Sequence, residues 1–149
     1  MNLQYNGEER IPAAQATVWA FVIDPAKVGH CLPDVEEVIV QDATHFEAVV
    51  RVGVGPVRGR FRLRGELVPD SSGRRIEMKV SGGGFGSAVD LTAAADILDS
   101  GDGATSLKWS GQAVPRGPIA AVGGRVLNAQ AQKLIAQAFA CVRQQLTTT

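Results

Sequence analysis

The apolar residues of this chain change period once, and that change constrains the fold more than any other feature. From about residue 38 to residue 109 they recur at every second position. Phe46, Ala48, Val50, Val52 and Val54 form one such run, and Val57, Phe61 and Leu63 the next. Ile76, Met78 and Val80 follow, then Val89, Leu91, Ala93 and Ile97, then Leu107 and Trp109; Val38 and Val40 begin the series. Alternation of this kind places apolar side chains on one face of a strand. Turn signals separate the runs at Gly55-Pro56, Ser71-Ser72-Gly73, Gly82 to Gly86 and Ser100 to Gly103, a spacing that reads as an antiparallel meander. From Pro118 to Leu146 the period becomes three to four, through Ile119, Val122, Val126, Leu127, Leu134, Ile135, Ala138, Phe139, Val142 and Leu146. That predicts one long amphipathic helix.

Ahead of the meander, Met1 to Arg10 reads as an opening strand. Ala16, Trp19, Ala20 and Ile23 recur at helical spacing. That helix should stop at Asp24-Pro25, because a residue before proline avoids the α region. Pro25 to Cys31 suits a short second helix, with proline in its first turn and Leu32-Pro33 ending it. The order is therefore strand, two short helices, a run of strands, one long helix. This is an α+β pattern in one domain, residues 1–149. The long helix is the obvious cover for the apolar face of a curved antiparallel sheet.

The inward positions carry mostly Val, Ala, Leu and Phe, and aromatic residues are only 5% of the chain. Small side chains under one helix can pack solidly, as interiors normally do, or leave an apolar pocket. Both outcomes stay open from residue types alone. The face and phase assignments give Trp19, Phe46, Phe61, Met78, Phe85, Trp109, Val122, Val126 and Phe139 as the candidate lining.

Lysine plus arginine and aspartate plus glutamate balance at 15 each, so bulk charge does not mark a nucleic-acid binder. Met1 to Arg10 has no apolar signal core, and no apolar run reaches bilayer length. A cytoplasmic protein is expected, with Cys31 and Cys141 as reduced thiols, since they are far apart and lack a framework spacing. His30 and Cys31 are neighbours on a helix and point about 100° apart, so they do not make a nucleophile pair. His45 reads as a turn residue. Two histidines and two scattered cysteines offer no metal-ligand spacing. Gly82 to Gly86 leads into strand residues rather than a helix, which argues for a bend or bulge and against a phosphate loop. Asp99 to Gly103 lacks the remaining ligands of a calcium loop. No catalytic residue, metal or cofactor is expected.

Several segments carry a family resemblance. Val54-Gly55-Pro56-Val57-Arg58-Gly59-Arg60-Phe61 resembles the Val-Gly-Pro-Val-Lys-Gly-x-Phe hallmark of the CoxG family, the G subunit of carbon monoxide dehydrogenase. Asp24-Pro25 with Cys31-Leu32-Pro33, Ile11-Pro12-Ala13, Val18-Trp19 and the small-residue stretch Gly117 to Leu127 are similar to further parts of that family, in the same order. Asp34 stands where the family carries a glycine, Val35 where it usually has a second cysteine, and Ala138-Phe139 where an aromatic pair is expected. The resemblance implies the START-like helix-grip fold, with a curved sheet of about seven strands wrapped around a long C-terminal helix. It also implies an apolar ligand, a lipid or quinone, and an accessory role beside a molybdenum hydroxylase, with peripheral contact to the inner membrane surface.

Two charge patterns bear on docking. After Asp102 there is no acidic residue, while Lys108, Arg116, Arg125, Lys133 and Arg143 remain, so the long helix is basic and amphipathic. Arg58, Arg60, Arg62 and Arg64 alternate along one strand and share one face, with Glu47, Glu66 and Glu77 as candidate neutralising partners. The helix reads either as a solvated outer face or as a membrane-surface element, and the arginine strand either as an exposed face with cross-strand ion pairs or as a docking surface for an acidic protein or phosphates. The candidate docking residues are Arg58, Arg60, Arg62, Arg64, Arg125 and Lys133. Three functional classes follow: a non-catalytic binder of an apolar small molecule, a docking scaffold with an empty cavity, and a cavity enzyme such as a cyclase or hydrolase. The first is preferred, because the inward positions offer few polar groups.

Overall fold

The structure, a computed structural model, describes residues 1–147. Thr148 and Thr149, the end of the expected 1–149 domain, lie outside the described residues. Strand β1 (Leu3–Ile11) is followed by helices α1 (Gln15–Val22) and α2 (Pro25–His30). Six strands come next: β2 (Val35–Val40), β3 (His45–Val54), β4 (Val57–Asp70), β5 (Arg75–Gly84), β6 (Ser87–Asp99) and β7 (Thr105–Arg116). The chain then enters α3 (Pro118–Ala121) and α4 (Gly124–Thr147). All seven strands form one antiparallel sheet in the order β1-β7-β6-β5-β4-β3-β2. Strands β1 and β2, successive in the chain, are therefore opposite edges, and α1 with α2 bridges between them. The curved sheet and the long helix across its concave face are the helix-grip arrangement that the resemblance implies.

Local chemistry explains the short helices. Half of α1 is buried, through Val18, Trp19, Phe21 and Val22, and the helix ends at Ile23, just before the aspartate that precedes Pro25. The carboxylate of Asp24 accepts from the backbone N–H groups of Ala26 at 2.9 Å and Lys27 at 3.4 Å. Two otherwise orphaned donors of α2 are thereby satisfied. In the sheet, Phe46 pairs with Gly65, and a Cβ at Gly65 would lie 2.3 Å from the Phe46 ring. Only glycine admits the ring there, and Phe46 is fully buried as a result.

Three expectations need correction. The long C-terminal helix is two helices: the chain breaks at Val122-Gly123, where Gly123 adopts φ 103, a conformation that favours glycine. Val40 shares the inner face with its β3 partner Phe46, as the alternation expects, but it is exposed rather than buried, because it ends an edge strand with no neighbouring strand on its far side. Cys31 and Cys141 are joined as a disulfide rather than left as free thiols, with Cα atoms 5.5 Å apart. They are 110 residues apart in sequence, and α4 brings them together by crossing α2, which spacing alone does not reveal.

The buried residues divide into two clusters at opposite ends of the concave face. At one end Ile11, Val18, Phe21, Leu67, Ile76, Ile97 and Leu107 pack with α1, and Phe139, Val142 and Leu146 of α4 lie against them. At the other end Val50, Val54, Val57 and Phe61 pack with Ile119 of α3 and Leu127 of α4. The space between them, under the middle of α4, is not filled by protein.

Candidate functional site

That space is a cavity of about 830 Å³, at the upper part of the range for small-molecule sites. Its wall follows from the alternation in the strands. Leu63 of β4, Met78 of β5, Leu91 of β6 and Trp109 of β7 point into it, and Leu3 and Tyr5 of β1 close one edge. Its size has two causes. The inward positions of β6 and β7 facing the helix are small: Ala93, Ala95, Gly111 and Ala113. On the opposite side, α4 presents Ala131, Leu134, Ile135, Ala138, Phe139 and Val142. Of the 24 residues of α4, Leu127 is the one described as buried. Phe139 and Val142 reach the α1-end cluster, while the middle of the stripe, at Ala131, Leu134, Ile135 and Ala138, is part-buried over the cavity and lacks the full set of contacts that a packed helix makes.

The helix is fastened at its ends. Near its start the Tyr5 hydroxyl donates to Asn128 Oδ1 at 2.9 Å. Near its end Arg143 pairs with Glu9 at 2.5 Å and donates to the carbonyl of Arg10. The Trp109 and Phe139 rings meet at 5.4 Å, tilted by 42°. The indole Nε1 of Trp109 is sealed against Gly7 and has no acceptor among the described residues. The Cys31–Cys141 bridge joins α4 to the end of α2.

Polar groups are sparse and lie toward the rim: Asp34, Arg51, Arg58, Ser110, Gln112, Gln130 and Lys133. Among the described residues, the lining contains one carboxylate, Asp34, and no histidine. No group of three or more potential metal ligands occurs among the described residues. His30 caps the end of α2 through the Ala26 carbonyl, 2.6 Å from Nδ1. His45 lies on the surface, held between Asp42 at 2.8 Å and Glu66 at 3.0 Å. The Asp42 hydrogen bond leads in raising its pKa above the ordinary 6.5, Glu66 adds to this, and partial desolvation opposes both.

Of the nine expected lining residues, Phe61, Met78, Trp109 and Phe139 line the cavity. Trp19 and Phe46 are buried in packed regions instead. Trp19 lies under the Arg74 guanidinium at 5.4 Å. Val122 packs over Gly55 at the end of the sheet. Phe85 and Val126 point outward, 70% and 46% exposed. Phe85 falls in the β5–β6 turn with φ 53, where strand phase no longer holds. Val126 keeps the phase of the segment before the Gly123 break. Leu134, Ala138 and Val142 share a face with Leu127, one position on, and this face is the cavity wall that helical spacing identifies only in part.

The segment that carries the family resemblance closes one end of the cavity. Val54 and Val57 pair across the two-residue turn Gly55-Pro56, with Gly55 at φ 56, and Phe61 follows on the inner face. Asp34, at the position where the family carries glycine, adopts φ 56. The glycine preference there thus has a backbone cause. Outside, Arg58, Arg60, Arg62 and Arg64 are all exposed on the convex face of β4. The neutralising acid is Glu36 rather than Glu47, Glu66 or Glu77: it meets Arg60 at 2.6 Å and Arg51 at 3.6 Å. The Arg60 hydrogen bond holds the Glu36 carboxyl below its usual range. Arg58, Arg62 and Arg64 have no ion-pair partner among the described residues. Arg125 and Lys133 are exposed on α4, and no helix among the described residues is long and apolar enough to cross a membrane.

The fold is shared with solved proteins of low sequence identity. A conserved protein from Geobacillus kaustophilus superposes with a TM-score of 0.86 at 22% identity, covering 97% of this chain and 95% of that one. The ZhuI aromatase/cyclase from Streptomyces sp. R1128 gives 0.68 at 15% identity, over 98% and 94%. Norcoclaurine synthase from Thalictrum flavum gives 0.64 at 16% identity, over 99% and 88%. No curated protein matches the sequence. The family model for CoxG, the G subunit of carbon monoxide dehydrogenase, matches residues 7–147, nearly the whole chain, and the chain belongs to that family.

Proposed function

We propose that this protein is a non-catalytic carrier that holds an apolar small molecule, a quinone or a lipid, beneath α4. The observation that carries this reading is the part-buried apolar stripe of α4 facing an apolar wall across about 830 Å³. Burying that surface against a ligand is favourable at about 25 cal/mol per Å². The polar rim suits a ligand with a polar head and an apolar body. A cavity enzyme of the cyclase or hydrolase kind needs convergent acid and base groups; one rim carboxylate without a histidine does not supply them. The family name supports association with a carbon monoxide dehydrogenase, and the second half of the proposal is an accessory role beside such a molybdenum hydroxylase, in the cytoplasm and against the membrane's inner face.

A specific arrangement supports the recruitment role. The exposed Phe85 has its ring over Gly59, which Arg58 and Arg60 flank in the β4 ladder, and the exposed Val126 follows Arg125 on α4. Apolar side chains beside cations suit an anionic lipid surface or an acidic partner. Mass spectrometry of an organic extract, from protein purified gently out of its own cells, tests the main reading. A stoichiometric quinone or lipid would support the carrier and name its cargo. A clean extract, repeated after incubation with the host's membranes, would overturn the carrier in favour of a docking scaffold.

A further inference from the structure

The Cys31–Cys141 bridge ties the cavity-lining end of α2 covalently to α4. Cys31 is the C-cap of α2 and lines the cavity. Cys141 lies in the last third of α4. At the other end of α4, the Val122-Gly123 break, with Gly123 at φ 103 and nothing within 4 Å of its Cβ position, makes a hinge. From Gly124 to Cys141 the helix is a lever of about 26 Å. Besides the bridge, its far half is held by contacts that open reversibly, among them the Trp109–Phe139 ring contact, Val142 and Leu146 against the α1-end cluster, the Arg143 bond to the Arg10 carbonyl and the part-exposed Arg143–Glu9 pair, and an ion pair at that exposure holds weakly.

We propose that Cys31–Cys141 is a thiol–disulfide exchange site for a dithiol reductant, and that its redox state sets whether α4 retains or releases the molecule beneath it. The inference rests on the carrier reading above. Cys31 is 6% exposed, whereas Cys141 is only half-buried, so the incoming thiolate attacks Cys141 Sγ. The Sγ–Sγ bond breaks, and Cys31 leaves as a thiolate and takes up a proton. The second thiol of the reductant then displaces Cys141 from the mixed disulfide. Two electrons and two protons pass to the protein, and the reductant becomes a disulfide. A disulfide in a reducing compartment is characteristically transient or redox-sensing rather than structural, which is the setting the carrier reading gives it. Once reduced, the far half of α4 is held by non-covalent contacts alone, and their transient opening lets it pivot about Gly123 and open the side of the cavity between α2 and α4.

The test uses the full chain with and without dithiothreitol as the dithiol. Hydrogen exchange is followed in α4 and, as a control, in β6 and β7. The release of preloaded N-phenyl-1-naphthylamine, an apolar fluorophore, is timed in parallel. Reduction should speed exchange at residues 134–147 by at least about tenfold while the sheet is unchanged. Probe release should speed by at least about tenfold. The Cys31→Ser/Cys141→Ser variant should release quickly with or without dithiothreitol. Equal exchange in both redox states, or free thiols that oxidised glutathione does not pair, would overturn the latch. Failure of the probe to bind oxidised protein would instead count against the carrier reading, and the exchange measurement would still decide the latch.

Discussion

The two ends of the space beneath α4 are closed in different ways. At the α1 end, an eight-residue helix with half its residues buried fills the concave face against Ile11, Ile97 and Leu107, and the disulfide ties in α4. At the α3 end, closure depends on a four-residue helix, a glycine break and the Gly55-Pro56 turn, and the apolar side chains Phe85 and Val126 lie outside. Between them the longest helix of the protein has its apolar face only part-buried, with Leu127 buried. Stability therefore resides at the ends, above all at the α1 end, while the middle is open, and on the proposed carrier reading a ligand completes it. A protein that must fold empty and still accept cargo benefits from this separation, because the residues that hold the fold are not those the cargo displaces.

The largest expected effect tests that separation directly. Ile97, fully buried at the α1 end, should cost about 3–4 kcal/mol when cut to alanine, because it leaves a void in close-packed surroundings. Leu134→Ala, in the cavity wall, should cost less than about 1 kcal/mol, since its side chain has little protein packed around it. Urea denaturation of both variants reads the contrast, and equal costs would show that the middle is as solid as the end. Next in size is binding. Leu134→Trp projects a large ring into the cavity and should weaken uptake of an apolar probe by at least about tenfold, worth about 1.4 kcal/mol. Val126→Trp, on the outer face, should leave uptake unchanged. If the two variants behave alike, the assigned cavity face of α4 is wrong.

How far the sequence discloses these differences depends on how local their causes are. Strand phase is a local property, so alternation alone is enough to assign Phe61, Met78 and Trp109 to the wall. The void depends on small residues of β6 and β7 facing small residues of α4, such as Ala95, Gly111 and Ala138, and that juxtaposition exists only once the sheet has curved. The hinge at Gly123 is hidden in the sequence because Val122 and Val126 continue a helical spacing across it. Phe85 escapes strand phase because the glycines around it carry the chain into a turn, where alternation ceases. The Cys31–Cys141 pairing is the most distant of these relations, and spacing gives no sign of it. The family resemblance supplies the architecture, and the motif that carries it builds the thin end of the cavity, with Val54, Arg58, Gly59 and Phe61 in its lining.

A smaller effect concerns the thin side near α2. Asp34 holds φ 56, a region that costs an ordinary side chain about 1–2 kcal/mol and an aspartate less. Asp34→Gly relieves this cost but loosens the unfolded chain, so the net gain should be at most about 0.5 kcal/mol. Thermal unfolding of the variant measures it. A loss of more than about 1 kcal/mol would mean that the carboxylate, rather than the backbone, matters at this rim position.

The smallest effect belongs to a surface group away from both ends. His45 has its folded pKa raised above 6.5, first by the Asp42 hydrogen bond and then by Glu66. A raised pKa means that the folded protein holds the proton more tightly than the unfolded chain does. The contribution is therefore fully present below the unfolded value of 6.5 and is lost as pH rises through the folded value. The Asp42 carboxyl is shifted down, chiefly by the Thr44 backbone N–H and then by His45. Its own contribution is present above the ordinary 3.8 and fades as pH falls through the folded value. Both contributions coexist in mildly acid solution. The urea midpoint of the wild type should exceed that of His45→Gln slightly at about pH 5.5, and the excess should vanish by about pH 8.5 and shrink in high salt. A difference that persists at the higher pH would assign His45 a packing role in the β2–β3 turn. Cavity uptake measured across the same range should not follow this titration, because the triad touches neither α4 nor the wall.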